Sequence, residues 1–363
     1  MRIALFLLLL IHGAIHFMGF AKAYDFVQIT ALTKSISRPM GLLWLLAGLL
    51  FIISGLLYFT KREIWTMLAL IAVIISQVLI FMVWKDAKFG TIANIIIMAF
   101  AIIGFANTRF ENGYKKDVRS AFEKSLIASE LVSQKEVDQL PPAVQKYLEY
   151  VGVVGKPKVY NVKIVFEGEM RDRGQDWFKF TSEQFNFFEN PTRLFFMKAK
   201  VKGLSTYAYH AYKEGEANMH VKVLSLFPVV DIEGKEMYPT ETVTYFNDLC
   251  LFAPAALIDD RITWETLDEF SVKATFTIGK TSISANLYFN EQGQLINFVS
   301  NDRYSVSEIK AFPFSTPAKD YKNVNGYNLA THGEAIWHYP DGELVYGKFN
   351  LESLQYNVTE PKH

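Results

Sequence analysis

Two histidines, His12 and His16, lie four positions apart inside the apolar segment ALFLLLLIHGAIHFMGFA. Residues at i and i+4 share one face of an α-helix, so the two imidazoles have the spacing of a chelating pair. Metal binding, proton or quinol-type chemistry and hydrogen bonding between helices would all suit them. Hydrogen bonding is favoured, because the other apolar segments contain no histidine or cysteine to complete a metal or haem site.

Four apolar segments precede residue 108, and each is about long enough to cross a hydrocarbon core of ~30 Å as a helix. They cover residues 3–20, 40–60, 64–84 and 90–107. Because the connections between them are short, we expect a four-helix transmembrane bundle over residues 1–107. The first segment is longer than the apolar core of a typical signal peptide, which favours a retained span over a cleaved one.

The polar residues of this bundle are expected to gather towards one membrane face. Spans one and three run in the same direction. The late part of span one, the end of span three and the starts of spans two and four therefore lie towards the same membrane face. Ionisable groups inside a membrane are costly and are functional candidates by default. The expected polar cluster consists of His12, His16, Arg38, Asp86 and Asn94.

Lysine and arginine are more numerous on the flanks that are cytoplasmic if the N-terminus is inside. We therefore expect a multi-pass protein of the cell membrane, in contact with the lipid bilayer, whose C-terminal part faces the cytoplasm. The formal net charge is zero and no basic stripe alternates with aromatic residues, so nucleic-acid binding is not expected. The single cysteine, Cys250, excludes an internal disulfide.

After residue 108 the chain becomes charged and helix-prone, as is typical of a solvated linker, here over residues 108–132. Ser133 with Glu136 three positions later predicts a capping box. The following segment, LPPAVQKYLEYVGVVG, predicts a short helix with an apolar stripe. A separate domain is therefore expected over residues 133–363.

From Pro157 onward, apolar and polar residues alternate, which is typical of β-strands. About ten such runs are separated by turn sequences such as RDRGQ, NEQGQ and YPDGE. That many antiparallel strands favour a curled sheet, so we expect a half-barrel. Residues 240–258 interrupt the strands with an apolar helix that would pack across the concave face, with Thr240 as its cap and Cys250 as a buried apolar residue.

Aromatic residues occupy both faces of adjacent predicted strands, so one ordinary core does not account for all of them. Apolar area of this kind binds acyl chains, and a pocket lined by aromatic residues is the usual form of such a site. We predict a ligand-binding groove lined by Phe166, Phe178, Phe180, Phe195, Tyr207, Tyr209, Phe246 and Trp337.

Polar residues on one predicted strand offer an alternative site. His332, Glu334 and His338 share one strand face at even spacing, near enough for a metal or an acid–base pair. The same pattern arises on any solvent-facing surface of a sheet. We therefore assign no catalytic residue, metal or cofactor.

Several segments after about residue 130 resemble, in this order, a bacterial family known only as a domain of unknown function: LPPAVQKYLEYVGVVGKP, VKIVFEGEMR, MHVKVLSLFPVVDIEGKEM, YFNDLCLFAPAALI with ITWETLD, and GEAIWHYPDGELVYG. The soluble part of that family is similar to the half-barrel of lipoprotein carriers, which implies an antiparallel sheet around helices with an apolar groove. The four-span part, with IHFMGFAKA and WKDAKFGTIAN, resembles DoxX-type four-helix membrane modules. No catalytic residues come with either resemblance. The carriers work outside the cytoplasm, whereas the charge bias here points inward.

Three functions are open at this stage. The expected one is a membrane-anchored binding or carrier module for a lipid, acyl chain or lipidated partner. The alternatives are a membrane redox or proton-coupled protein that uses His12 and His16, and a structural domain that binds a partner. The sequence contains no phosphate loop, nucleophile elbow, zinc-type cysteine pairing or Rossmann glycine fingerprint, which disfavours an enzyme.

Overall fold

The structure is a computed structural model that describes residues 2–125, 129–234, 237–305 and 310–360. The chain forms two compact units, Met1–Asn112 and Gly113–His363. Residues 126–128, which belong to the expected linker, lie outside the described residues.

The first unit is built from helices, and all four apolar segments are helical. By length and composition, four helices of the described chain are long and apolar enough to cross a membrane. They are α1 (Arg2–Ala23), α2 (Arg38–Phe59), α3 (Trp65–Met82) and α5 (Gly90–Glu123), with the single turn α4 (Trp84–Ala87) before the last. Helix α5 continues beyond the expected fourth span, and its residues 113–123 belong to the second unit.

Helices α1 and α2 pack closely at two glycines. A Cβ atom on Gly13 would lie 2.9 Å from the carbonyl oxygen of Gly48, and one on Gly48 would lie 2.8 Å from that of Gly13. Such distances place the two backbones in direct contact, which small residues permit in membrane helices.

The second unit contains sixteen strands within the described residues, all paired antiparallel. They are β1 (Asn161–Met170), β2 (Phe178–Phe187), β3 (Thr192–Val201), β4 (Leu204–Lys213), β5 (Glu216–Val223), β6 (Phe227–Glu233), β7 (Ile262–Asp268), β8 (Ser271–Ile278), β9 (Thr281–Phe289), β10 (Leu295–Ser300), β11 (Tyr304–Ser305), β12 (Lys310–Ala311), β13 (Phe314–Ser315), β14 (Ala318–Val324), β15 (Tyr327–Tyr339) and β16 (Gly342–Tyr356).

Fourteen of these strands form one sheet in the order β6-β5-β4-β3-β2-β1-β16-β15-β13-β10-β9-β8-β7, with β14 also paired to β15. Within the described residues β6 and β7 remain free edges, so the sheet is not closed into a barrel, as expected for a half-barrel. The remaining two strands, β11 and β12, pair with each other.

The sheet has more strands than the ten or so expected from the sequence. Three of the additional strands, β11, β12 and β13, have only two residues each, too few to show alternation. Strands β6, β7 and β14 are largely exposed, so none of them has the alternation of buried and exposed residues on which the prediction relied.

The helices of the second unit are α6 (Gln134–Val137), α7 (Pro142–Val151) and α8 (Met237–Phe252), followed by a 3-10 turn at Pro254–Leu257. The predicted capping box of Ser133 and Glu136 is confirmed, although the helix it opens has a single turn. Helix α7 ends at Gly152, which has the left-handed conformation with φ of +80°. Helix α8 begins at Met237, three residues before the expected cap, and the Oγ1 of Thr240 accepts a hydrogen bond from the backbone nitrogen of Tyr304.

Helices α7 and α8 pack on one face of the sheet, which we call the inner face. The Tyr147 hydroxyl on α7 donates to the carbonyl oxygen of Cys250 on α8 at 2.8 Å, and the side chain of Cys250 is fully buried, as expected. The main hydrophobic core lies between these helices and the inner face. On the opposite, outer face, residues 113–123 of α5 cover strands β2, β3 and β4 through contacts of Tyr114 and Phe122.

Candidate functional site

A cavity of about 110 Å³ lies on the inner face of the sheet, against helix α8. Strands β1, β3, β15 and β16 supply part of its wall, and the last turns of α8 supply another part. The apolar side chains that line it are Phe166, Met170, Phe195, Leu251, Phe252, Phe314, Ala335, Tyr346 and Phe349. Since one water needs about 10–15 Å³ of such volume, the cavity has room for a small ligand or for one end of a longer amphiphile.

One side of the cavity is a buried ionic network centred on Arg193 of strand β3. The Nε of Arg193 donates to Asp248 at 2.7 Å and its Nη1 donates to Glu241 at 3.3 Å. Its Nη2 donates to the side-chain oxygen of Gln184 at 3.2 Å. Glu241 and Asp248 are seven residues apart on α8 and therefore share one face of the helix, so the network ties α8 to the sheet.

The Arg193 guanidinium stays charged although its side chain is only 8% exposed. Burial by itself would lower the pKa of Arg193, but the neighbouring carboxylates of Asp248 and Glu241 outweigh that effect and raise the pKa above its usual value. All three groups are buried, so removing Arg193 would leave two buried carboxylates without the cation that they bind.

A second arginine, Arg303, lines the cavity in a different manner. Its guanidinium carbon lies 3.9 Å from the ring centre of Phe314 and 5.0 Å from that of Trp337. Its Nη1 donates to the Tyr346 hydroxyl at 2.9 Å. Its Nε is buried and has no hydrogen-bond partner among the described residues. Aromatic rings therefore hold this cation in place. No described carboxylate lies within 4 Å of it.

His210 of strand β4 also lines the cavity, with its ring centre 5.6 Å from that of Phe195. Burial lowers the pKa of His210 to about 3, assisted by the positive charges of Arg193 and Arg303. The imidazole is therefore neutral at physiological pH and presents one donor and one acceptor nitrogen.

Four of the aromatic residues predicted for the groove belong to the inner face. Phe166 and Phe195 line the cavity itself. Phe180 packs against Phe349, with ring centres 5.2 Å apart, and so supports the wall from behind. Phe178 lies on the same face of β2 and packs against the core.

The other four predicted residues do not line the cavity. Phe246 is fully buried between α8 and the sheet, 5.0 Å from the ring of Phe276, so it belongs to the core. Trp337 contacts Arg303 but lies just outside the cavity wall. Tyr207 and Tyr209 are on the outer face, because alternate residues of β4 point to opposite sides.

On the outer face, Tyr209 serves the contact with α5. Its hydroxyl donates to the carboxylate of Asp117 at 2.7 Å, and burial raises the pKa of Tyr209 above its usual range. Tyr114 stacks on Phe196 with ring centres 5.2 Å apart. Part of the aromatic surplus is thus explained by a helix that covers the outer face, a contact that the charged sequence of residues 113–123 does not suggest.

In the first unit, three of the five polar residues predicted to cluster are brought together. The Nε2 of His12 lies 2.9 Å from the side-chain oxygen of Asn94, and the Nε2 of His16 lies 2.9 Å from the hydroxyl of Ser76. The Ser76 hydroxyl also donates to Asn94 at 3.1 Å. The Nδ1 of His16 lies 2.8 Å from the carbonyl oxygen of His12. This arrangement links α1, α3 and α5 by hydrogen bonds.

Arg38 and Asp86 are not part of those hydrogen bonds. Arg38 lies over the ring of Tyr24, and Asp86 accepts a 2.7 Å hydrogen bond from the backbone nitrogen of Thr33. A cavity of about 380 Å³ nevertheless borders His12, His16 and Asp86. No group of three metal-ligating side chains occurs in the part of the chain that the structure describes.

The alternative site on strand β15 does not form one cluster. His332 bonds to Asn350 at 2.8 Å and lies 3.9 Å from Glu334. His338 is farther along the strand, where its Nε2 lies 2.7 Å from the Ser315 hydroxyl. Neighbouring strands thus supply a separate partner to each histidine.

Comparison with known proteins adds a family and a fold likeness. The family described as "Family of unknown function (DUF6544)" matches residues 130–349. The match does not include the four apolar helices, whose DoxX resemblance stays a prediction. No curated protein matches the chain.

Two solved structures are similar to part of the chain. A LolA superfamily protein from Nitrosomonas europaea has 11% sequence identity and a TM-score of 0.32, with 62% of this chain and 94% of that chain covered. A beta-barrel-like protein of the domain of unknown function DUF1849 from Brucella abortus has 10% identity and a TM-score of 0.15, with 55% and 99% covered. Likenesses of this extent do not establish a shared activity.

Proposed function

The chain belongs to the DUF6544 family of unknown function, and we propose that it is a membrane-anchored binding or carrier module for a hydrophobic ligand held on the inner face of the sheet. The four apolar helices serve as the anchor. The ligand classes that suit an aromatic wall are a lipid, an acyl chain or the lipid group of a modified partner.

The single observation that supports this proposal is the aromatic-walled cavity beside α8. Phe166, Phe195 and Phe349 from three strands converge there with Leu251 and Phe252 of the helix. Transfer of apolar ligand surface from water to such a wall contributes about 25 cal/mol per Å². Ligand pockets combine apolar walls with a few placed polar groups, and the arginines and His210 supply these groups here.

The experiment is purification of the full-length protein in mild detergent, followed by native and denaturing mass spectrometry for bound lipid. Gly333 lines the cavity, and a Cβ atom there would meet its nearest neighbours at 3.6 and 3.8 Å, which is ordinary contact. Gly333→Leu therefore fills the cavity, and we expect it to lose the co-purified ligand.

The matched control is His332→Leu, which places the same side chain on the opposite face of the same strand. We expect this variant to retain the ligand. Equal retention by both variants, or a wild-type protein that carries no lipid and binds none on addition, would exclude the proposal.

The bilayer is the proposed site of action, and the lysine and arginine bias supports a cytoplasmic C-terminal unit. A thiol or protease reporter fused after residue 363 tests this orientation. Protection of the reporter in intact cells is the expected result, and modification from outside would reverse the proposed orientation.

A second candidate function, a membrane redox or proton-coupled activity, is favoured by the 380 Å³ cavity beside His12 and His16. It predicts bound quinone or haem in the same purified sample, lost in His12→Ala. Both ring nitrogens of His16 already have partners, which disfavours a metal ligand at that position.

A further inference from the structure

We propose that the inner-face cavity selects ligands with an anionic oxygen head group, a carboxylate or a phosphate, and that Arg303 binds this group. This inference rests on the proposed function and narrows the ligand class from hydrophobic molecules in general to anionic amphiphiles.

The first support for this proposal is the set of hydrogen bonds that Arg303 makes. A guanidinium has five N–H donors, and its Nε and Nη2 form one edge with two parallel N–H bonds that matches a carboxylate or phosphate. Only Nη1 of Arg303 has a described partner, the Tyr346 hydroxyl. The Nε is buried without a partner in the described chain, so no described group occupies the edge suited to an oxyanion.

The rings around Arg303 carry the second step. Phe314 lies close enough to stack on the guanidinium, and Trp337 contacts it at a longer distance. These contacts fix the plane of the guanidinium but supply no hydrogen-bond acceptor and no negative charge. A fixed donor edge loses less conformational freedom on binding than a flexible lysine would.

The other charges of the cavity carry the third step. Glu241 and Asp248 are both hydrogen-bonded to Arg193, whereas no described carboxylate lies within 4 Å of Arg303. His210, which also lines the cavity, adds a donor for a second ligand oxygen without adding a charge. An incoming oxyanion therefore meets one arginine that is already paired and one that has no carboxylate partner among the described residues.

Three probes with the same chain test the inference: dodecanoate, dodecyl phosphate and dodecanol. Binding of each to delipidated full-length protein in digitonin is measured by isothermal titration calorimetry. Charge-assisted hydrogen bonds contribute about 1.5–3 kcal/mol, so we expect both anions to bind at least about tenfold more tightly than dodecanol. The tighter of the two anions indicates whether a fatty acid or a phospholipid-type head group is the source.

Variants of Arg303 extend the test. Arg303→Gln should weaken the binding of both anions at least about tenfold and leave the binding of dodecanol unchanged. Arg303→Lys should retain only part of the affinity for the anions, because lysine lacks the two parallel N–H donors of a guanidinium. Arg173→Gln, at an exposed arginine paired with Asp341, is the control and should change nothing.

The outcomes separate this inference from the proposed function. Equal binding of all three probes, with no effect of Arg303→Gln, overturns the head-group inference but agrees with the proposed binding of a hydrophobic ligand. Failure of all three probes to bind overturns both. If Arg303→Gln does not fold, the comparison of dodecanoate with dodecanol on the wild-type protein still tests whether the cavity selects an anionic head group.

Discussion

Substitution of Arg193 by methionine should destabilise the second unit strongly. The change removes the guanidinium that, within the described chain, binds Asp248 and Glu241, whose side chains are 12% and 5% exposed. Breaking a buried ion pair by removing one partner costs about 3–5 kcal/mol, because the remaining charge is left unpaired in a medium of low polarity. For a unit of this size, 1 kcal/mol corresponds to about 2–4 °C, so the melting temperature should fall by about 6–20 °C.

The assay is thermal unfolding of the full-length protein in detergent, followed by far-ultraviolet circular dichroism at a fixed scan rate. Arg173→Met is the matched control, since it removes an exposed arginine–carboxylate pair with side chains 47% and 68% exposed. Surface pairs contribute about 0–1 kcal/mol, so the control should shift the melting temperature by at most about 4 °C.

A triple variant separates the unpaired charges from the lost packing. Adding Glu241→Gln and Asp248→Asn to Arg193→Met removes both orphaned carboxylates and should recover most of the lost stability. A shift of Arg193→Met no larger than that of Arg173→Met would refute the reasoning that the network holds α8 to the sheet.

Three further predictions concern other parts of the chain. The pKa of His210 is about 3 in the folded protein, below its unfolded value near 6.5, so protonation favours the unfolded chain and stability falls as pH drops below about 6.5. At pH 5 the free energy of unfolding should be lower by about 2 kcal/mol than at pH above 6.5. The melting temperature of His210→Gln should not show this part of the pH dependence. An identical pH dependence of the melting temperature in both proteins would contradict the prediction. Gly13→Ala should lower the melting temperature because its Cβ meets a backbone oxygen at 2.9 Å, whereas Gly113→Ala, with nothing within 4 Å, should stabilise by up to about 1 kcal/mol; the reverse order would refute the close packing of α1 and α2. Asn94→Leu removes the partner of His12 and should destabilise the helices by about 0.6–2 kcal/mol in steric-trapping or denaturant titrations, and no change would argue against the hydrogen-bonded cluster.

Local patterns predicted much of the architecture. Apolar runs of helix-spanning length identified all four long helices, and alternation of apolar and polar residues identified strands β1 to β5, β8 to β10, β15 and β16. The spacing of Ser133 and Glu136 identified a capping box, because both hydrogen bonds of that motif are made within four residues. Such features depend on neighbours in the chain, and sequence patterns report them directly.

Features that depend on distant residues were not predictable in the same way. The composition of residues 113–123 is that of a charged linker, yet Tyr114 and Asp117 contact side chains about 80 to 90 positions away. Tyr207 and Tyr209 were expected on the groove face, and only the observed strand register places them on the opposite one. The ionic network of Arg193 joins residues that are 48 and 55 positions apart and has no local signature.

The central claim is that a hydrophobic ligand occupies the inner-face cavity, and photo-crosslinking tests it most directly. Full-length protein in digitonin is incubated with a diazirine-labelled fatty acid, irradiated, digested and analysed by mass spectrometry for labelled residues. The account predicts label on residues of the cavity wall, such as Phe166, Phe195, Leu251 and Phe349, and loss of that label in Gly333→Leu. Label confined to the apolar helices or to the outer face of the sheet would contradict it.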